Sequence, residues 1–234
     1  MPAPLSVIIP VLNSAPRLGP VLAALAVGLA EGLIAEVIFA DGGSTDETEQ
    51  IAEATGARFI ACQRGRGVQL ATGAEQAKGA WLLFLHDDTI LPGNWPELVS
   101  EALREPAHSF CFCLRFDDPS WQARWLAGWA NRRTNWFGLP FGDQGLLIPR
   151  ETYDKAGGFR SIPLMEDVDL VRRLHPRPRL LKGDIVTSAE RYRRNGWWRQ
   201  SWQNGWRQLR FLLGVSPKKL AKDYDAWPPS NCSW

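Results

Sequence analysis

Four cysteines occur in the 234-residue chain, Cys62, Cys111, Cys113 and Cys232, and only Cys111 and Cys113 stand close together. With no second pair at zinc-finger spacing, this pattern argues against a structural zinc module or a disulfide framework and predicts free thiols in a reducing cytoplasm. Long apolar runs are missing as well. A membrane span needs ~18–20 such residues, and the longest candidate, Val21 to Ile34, is broken by Glu31. No secretory leader is read, because the strand-like Leu5-Ser-Val-Ile-Ile-Pro10 begins almost at once. These absences predict a cytoplasmic protein with at most peripheral contact to the inner face of the membrane. An excess of one charge is also lacking. The 27 Lys+Arg and 25 Asp+Glu leave a formal net charge of +2, too mild to argue for nucleic acid. No internal repeat and no low-complexity linker interrupts the chain.

What is present is a core-forming composition, 45% hydrophobic, at a length that suits one α/β domain. Ser6 to Pro10 reads as a buried strand, and Leu18, Val21, Leu22, Leu25 and Leu29 follow at helical spacing. Glu36 to Ala40 is a second strand ending on Asp41. Ser44 and Glu47 have the spacing of a capping box that would open a helix to about Ala54. Arg58 to Cys62 and Trp81 to Leu85 are further strands, with a helix between them after Arg64-Gly-Arg-Gly67. This alternation predicts an open, mostly parallel sheet with helices on both faces. The second half is less regular: strands at Ser109 to Phe116 and Gly145 to Pro149, helices around Trp121 to Trp129, Glu166 to Leu174 and Trp198 to Leu209.

Ligands of such sheets bind beyond the carboxyl ends of the strands. Here those ends carry Pro10 to Asn13, Asp41 to Ser44 and His86 to Thr89. Neither the G-x-G-x-x-G loop of dinucleotide enzymes nor a P-loop is found. Phosphate must therefore be neutralised otherwise, and a divalent metal is one answer. His86 and Asp88 end a strand two residues apart; they suit Mn²⁺ or Mg²⁺, or merely cap the next turn. Asp41 is either an acceptor for a base or ribose or the turn former before Gly42-Gly43. Arg64 and Arg66 are phosphate contacts or solvated loop charges. The acids Glu166, Asp167 and Asp169 suit a first helical turn, and one of them at the crevice would act as a general base.

Together these segments, from Ser6 to about Trp197, resemble family 2 of the inverting glycosyltransferases. The resemblance implies the glycosyltransferase A fold, with a transferase domain over residues 1–215 and a C-terminal tail over 216–234. Residues 1–90 would bind the nucleotide sugar, and 91–215 the acceptor. Ser6-Val-Ile-Ile-Pro-Val-Leu-Asn13 and Glu36-Val-Ile-Phe-Ala-Asp-Gly-Gly-Ser44 are similar to the family's nucleotide-binding strands. They imply donor contacts at Pro10, Val11, Asn13 and Asp41; Arg64-Gly-Arg-Gly67, which matches the family's next segment, and Leu85 to Thr89 add Arg66 and Asp87. Leu85-His-Asp-Asp-Thr89 takes the place of the D-x-D motif, implying Asp88 as a ligand of Mn²⁺ or Mg²⁺, with His86, or Asp87 in its place, completing the site. Glu166-Asp167 resembles the family's acidic pair, with Asp167 as general base and Glu166 supporting it. Phe141-Gly-Asp-Gln-Gly145 looks like the acceptor loop, offering Asp143 and Gln144. Arg191-Tyr-Arg-Arg-Asn-Gly-Trp197 is similar to a diphosphate-closing segment, offering Arg191, Arg194 and Trp197. The His-x-Asp variant is shared by a subgroup associated with arsenosugar biosynthesis.

The expected function is metal-dependent sugar transfer from a nucleotide-diphosphate donor to an acceptor hydroxyl, with inversion; the acceptor is a small molecule or a lipid-linked group. A nucleotidyltransferase would share sheet and metal, but would show a glycine-rich basic loop after the first strand. A non-catalytic sugar- or membrane-binding relative is the third reading. The late helix with Trp198, Trp202 and Trp206 is read as packing its tryptophans against the domain, the alternative being an anionic membrane.

Overall fold

The computed structural model describes residues 3–225. Leu5–Val11 forms the central strand β1, buried at every position but Pro10, as befits a strand covered on both faces. Then come α1 (Ala15–Ala30), β2 (Ile34–Asp41), α2 (Thr48–Thr55), β3 (Arg58–Ala61), α3 (Arg66–Gln76), β4 (Trp81–Phe84), β5 (Thr89–Ile90) and α4 (Trp95–Ala102). The second half holds β6 (Phe110–Phe116), α5 (Trp121–Phe137), a single 3-10 turn at Gly142–Gln144, β7 (Leu146–Pro149), α6 (Arg150–Lys155), α7 (Glu166–Arg173) and β8 (Arg179–Thr187). The described chain closes with α8 (Glu190–Asn195), α9 (Trp197–Leu212) and α10 (Pro217–Asp225).

One eight-stranded sheet runs in the order β3-β2-β1-β4-β7-β6-β8-β5. β3, β2, β1 and β4 are parallel, β7 is antiparallel to both β4 and β6, and β8 runs parallel to β6. Strand alternation divides the core. Leu5, Val7, Ile9 and Val11 pack with Leu18, Val21 and Leu25 of α1 and with Trp95 and Val99 of α4. Ile8 faces the other way, toward Leu70 and Ala74 of α3 and Leu170 of α7. The indole of Trp95 is fully buried and donates to the Ala24 carbonyl at 2.9 Å. A side chain at Gly28 would overlap that ring, so α1 and α4 meet at a glycine.

Several expectations are corrected. Ser44 and Glu47 do not form a capping box: the Ser44 hydroxyl turns back to Asp41, and the helix starts only at Thr48, whose N–H is met by Asp46 at 3.1 Å. β8 was not anticipated, because Lys182, Gly183 and Asp184 break its apolar pattern; the strand bulges there against β6. Residues 216–225 are not simply tail, since α10 buries Leu220; Trp227 to Trp234 and Cys232 lie outside the described residues. The largest correction concerns α9. Its buried residue is Gln200, and Trp202 and Trp206 stand 74% and 51% exposed, so these two do not pack the helix onto the domain, whereas Trp198 meets Trp121 and Trp125 of α5.

Candidate active site

The carboxyl ends of β1, β2 and β4 lie side by side, Val11 opposite Asp41 and Ile8 opposite Phe84. Side chains stitch the loops beyond them together. Asn13, at φ 48°, donates its N–H to Ser44 Oγ at 2.8 Å and accepts from Thr45 N–H at 2.9 Å. A left-handed backbone is tolerated by asparagine better than by most residues, which accounts for the residue type. Gln69 of α3 clips the strand ends by donating to the Val11 and Ala40 carbonyls.

Asp41 is 3% exposed, and its carboxylate accepts from Gly43 N–H, Ser44 N–H and Ser44 Oγ. Asp41 thus closes its own turn, and with about four acceptor sites on a carboxylate these three donors leave it capacity for a base or ribose. Pro10 pairs in register with Ala40. Val11 turns its side chain into the core and offers only a carbonyl, already used by Gly42 N–H and Gln69; side-chain contact to a nucleotide is corrected on that ground. Asp87 points to the start of α1. It accepts from Ser14 Oγ and pairs with Arg17 at 2.5 Å, a cation the sequence did not single out.

His86 leaves the strand toward Arg66. Because a guanidinium only donates, the 3.4 Å contact from Arg66 Nη1 makes His86 Nε2 the acceptor and leaves any ring proton on Nδ1. Burial, then the charges of Arg66 and Arg191, push His86 down to about 3, so the ring is neutral. Both conditions oppose His86 as a metal ligand: Nε2 is already engaged, and two cations stand by the ring. Asp88 remains. Its carboxyl is raised by burial and by Asp87, and among the described residues it bonds only Thr89 Oγ1, at 3.3 Å. Among the described residues no group of three His, Cys, Asp or Glu could hold a metal ion. The donor set therefore fits an ion held by one carboxylate and completed by substrate phosphates and water, as Mg²⁺ usually is.

Glu166 and Asp167 open α7 and diverge. Met165, at φ 65°, precedes them and sets the sharp entry to the helix. Glu166, its side chain 2% exposed, forms a close ion pair with Arg66. Burial works against the charge of Arg66, but Glu166 and Asp167 outweigh it and push the guanidinium up, so Arg66 stays a cation. Arg66 is thus engaged with protein carboxylates rather than presented to phosphate. Asp167 accepts from Gly142 N–H at 2.8 Å and from its own helix at Val168 N–H, 2.7 Å. Arg66, His86, Phe141, Gly142, Glu166 and Asp167 line one small cavity.

Gly142 is the hinge of this arrangement. A Cβ there would come within 2.7 Å of His86 Nε2 and 3.4 Å of Asp167 Oδ2. Gly142→Ala is expected to displace both side chains and lower turnover by about 10²-fold, with the melting temperature little changed. Comparing kcat with thermal melting checks this; wild-type turnover would refute it.

Gln144 is fully buried and hydrogen-bonded to Thr134, Phe141 N–H and the Phe112 carbonyl, so it braces the loop and is corrected as an acceptor contact. Asp143 does reach the site. Burial, opposed by Arg133, then reinforced by Asp167 and Asp88, raises it to about 6, and its Oδ1 has no hydrogen-bond partner among the described residues. Arg133, unforeseen in the sequence, lies 3.5 Å over the Phe141 ring, and among the described residues its Nε and Nη2 have no hydrogen-bond partner. Arg191 is close enough to act on both His86 and Asp88. Arg194 is exposed on α8. Trp197 stacks on Tyr192 at 5.1 Å and meets Phe116 edge-on, so it is packing rather than a diphosphate contact.

Residues 6–163 match the sequence model of Glycosyl transferase family 2. A curated relative, glucosyl-3-phosphoglycerate synthase of Mycolicibacterium paratuberculosis (strain ATCC BAA-968 / K-10), is 32% identical over 97 residues, which span 38% of this chain and 29% of that protein. Among solved structures, S. aureus TarS 1–349 superposes with a TM-score of 0.61 at 17% identity, covering 80% of this chain and 60% of the other. Glucosyl-3-phosphoglycerate synthase from Mycobacterium tuberculosis, in complex with Mn²⁺, UDP and glucosyl-3-phosphoglycerate, gives 0.51 at 20% identity, covering 77% and 70%. These likenesses support the fold, and the match over residues 6–163 decides the family: the chain belongs to glycosyl transferase family 2.

Proposed function

We propose that the chain transfers a sugar from a nucleoside diphosphate donor to an acceptor hydroxyl, with inversion and with the help of Mn²⁺ or Mg²⁺. The observation that carries this is the placing of Asp167. Its carboxylate is aimed by the Gly142 N–H into the cavity below His86, at the strand ends where a sheet of this kind takes its ligand. In a single displacement the acceptor oxygen attacks the anomeric carbon while the bond to the diphosphate breaks. The acceptor proton passes to Asp167, and the diphosphate leaves with the electron pair. Asp88 would hold the metal, which supplies charge neutralisation to the leaving diphosphate. Arg191, beside Asp88, adds fixed positive charge on the same side. The relatives support this reading: one structure bears UDP with Mn²⁺, another UDP with Mg²⁺.

On the acceptor side, the Nε and Nη2 of Arg133, without a hydrogen-bond partner among the described residues, favour an acceptor that brings a strong hydrogen-bond acceptor or an anionic group. Nothing in the site favours nucleotidyl transfer.

Thermal melting tests the donor half. A uridine diphosphate added with Mn²⁺ at about 100 times its dissociation constant should stabilise the fold by about 2.7 kcal/mol. Chelator, or Asp88→Asn, should remove most of that gain. A panel of nucleoside diphosphates and sugar nucleotides that shifts nothing, with or without metal, would overturn the reading.

A further inference from the structure

The exposed aromatic residues gather on two helices. Trp121, Trp125, Trp129 and Trp136 of α5 and Trp198, Trp202 and Trp206 of α9 stand 47–74% exposed. Single apolar residues on a surface need no explanation, but a contiguous patch does. Here the patch is contiguous: Trp198 lies 5.7 Å from Trp121 and 5.3 Å from Trp125, joining the two rows. Within each helix a spacing of four, and of seven from Trp129 to Trp136, keeps the tryptophans on one stripe. The stripe continues through Leu209 of α9 and Leu213 just beyond its end, both exposed.

Charge selects the occupant. α5 and α9 contain six arginines and not one Asp or Glu. From Arg191 to Lys222 there are nine Lys and Arg and no acid. By helical position Arg132 falls within the tryptophan stripe of α5, and Arg124, Arg132 and Arg199 are exposed. A second copy docked on this face by a two-fold axis would bring basic helices against basic helices with no carboxylate between them. Beyond Lys222 the only acids in the sequence are Asp223 and Asp225, at the end of α10, and residues 226–234 carry none. An anionic lipid surface satisfies both halves of the pattern. Indole rings sit with their apolar faces in the acyl boundary and their N–H groups among the headgroups, and arginine meets lipid phosphate.

We propose that α5 and α9 form a peripheral docking face for anionic membranes. No helix among the described residues is long and apolar enough to cross a bilayer, so the protein would lie on the surface rather than span it. The face is connected to the site at two points. α5 runs into the loop whose Gly142 holds Asp167, and α9 follows directly on α8, which carries Arg191. The inference does not depend on the transferase reading.

Flotation of the full chain with vesicles tests it: phosphatidylcholine alone, and phosphatidylcholine with phosphatidylglycerol, each at low and high salt. The expected result is partitioning onto the anionic vesicles at least about tenfold stronger than onto neutral ones, weakened by salt. Trp202→Ser/Trp206→Ser should reduce it by about tenfold or more. These rings make no aromatic pair among the described residues, and an unchanged melting temperature shows that the variant folds. Three results would overturn the proposal. One is no flotation with any vesicle. Another is flotation indifferent to the double substitution in a folded variant. The last is a concentration-dependent dimer in sedimentation that the double substitution abolishes, which would make the face an interface between copies.

Discussion

Asp167→Asn should lower turnover by about 10²–10⁴-fold while leaving donor binding intact. The substitution keeps the shape of the side chain, and the amide oxygen can still accept the Gly142 N–H that the carboxylate accepts at 2.8 Å. What it removes is the ability to take a proton. A hydroxyl attacks poorly while protonated, so the loss falls on the chemical step: kcat drops, and the KM for the donor and the metal-dependent stabilisation by nucleotide stay near wild type. Glu166 cannot substitute as base, because Arg66 holds it in a buried ion pair. Normal turnover in Asp167→Asn would remove Asp167 from the reaction. Loss of donor-induced stabilisation together with turnover would instead make it a residue of the binding site.

The parallel half of the sheet was legible because β1, β2 and β4 are nearly continuous apolar runs ended by polar turns. β8 was not, since Lys182 and Gly183 form a bulge between Leu181 and Asp184 that no period-two pattern describes. The site was legible at the level of loops and less so at the level of atoms. Asp41 had two local readings, and spacing cannot separate a carboxylate that closes its own turn from one kept for a ligand. His86 shows the same limit. Its distance from Asp88 along the chain suggested a shared metal, whereas the fold brings up Arg66 from another helix to occupy its ring nitrogen. Gln144 and Trp197 have side chains that suit either binding or packing, and only three-dimensional neighbours decide. The tryptophan stripe on α9 was visible as a stripe, but amphipathicity does not say whether the apolar face meets the domain or the surroundings. Arg133 gave no signal at all, lying in a helix read only through its tryptophans.

Arg66→Met is expected to be the most destabilising single change at the site, by about 3–5 kcal/mol, because it strands a buried carboxylate without its cation. Glu166 is almost entirely enclosed, and burial by itself raises its pKa, with Arg66 the main influence in the other direction. Without the guanidinium, the folded-state pKa of Glu166 rises further above its unfolded value. A carboxyl raised in this way binds its proton more tightly in the folded state, so its cost is absent below the unfolded carboxylate range and grows as the pH climbs toward the folded pKa. The deficit of Arg66→Met relative to wild type should therefore be small in acid and largest at neutral pH. Adding Glu166→Gln removes the stranded charge, and the double variant should recover much of the loss. That recovery separates an uncompensated charge from a simple cavity, which a second substitution would not refill. Urea unfolding of wild type, both single variants and the double variant at acidic and neutral pH gives the comparison. A pH-independent loss, or a double variant no more stable than Arg66→Met, would show that Arg66 contributes packing rather than charge. Because Arg66 also approaches Asp167, at 4.0 Å, and His86, at 3.4 Å, the same ion pair orders the base and the neutral ring that face the cavity. The double variant, though folded, should accordingly remain impaired in turnover: restoring stability does not restore the cation that fixes the two reacting-side groups.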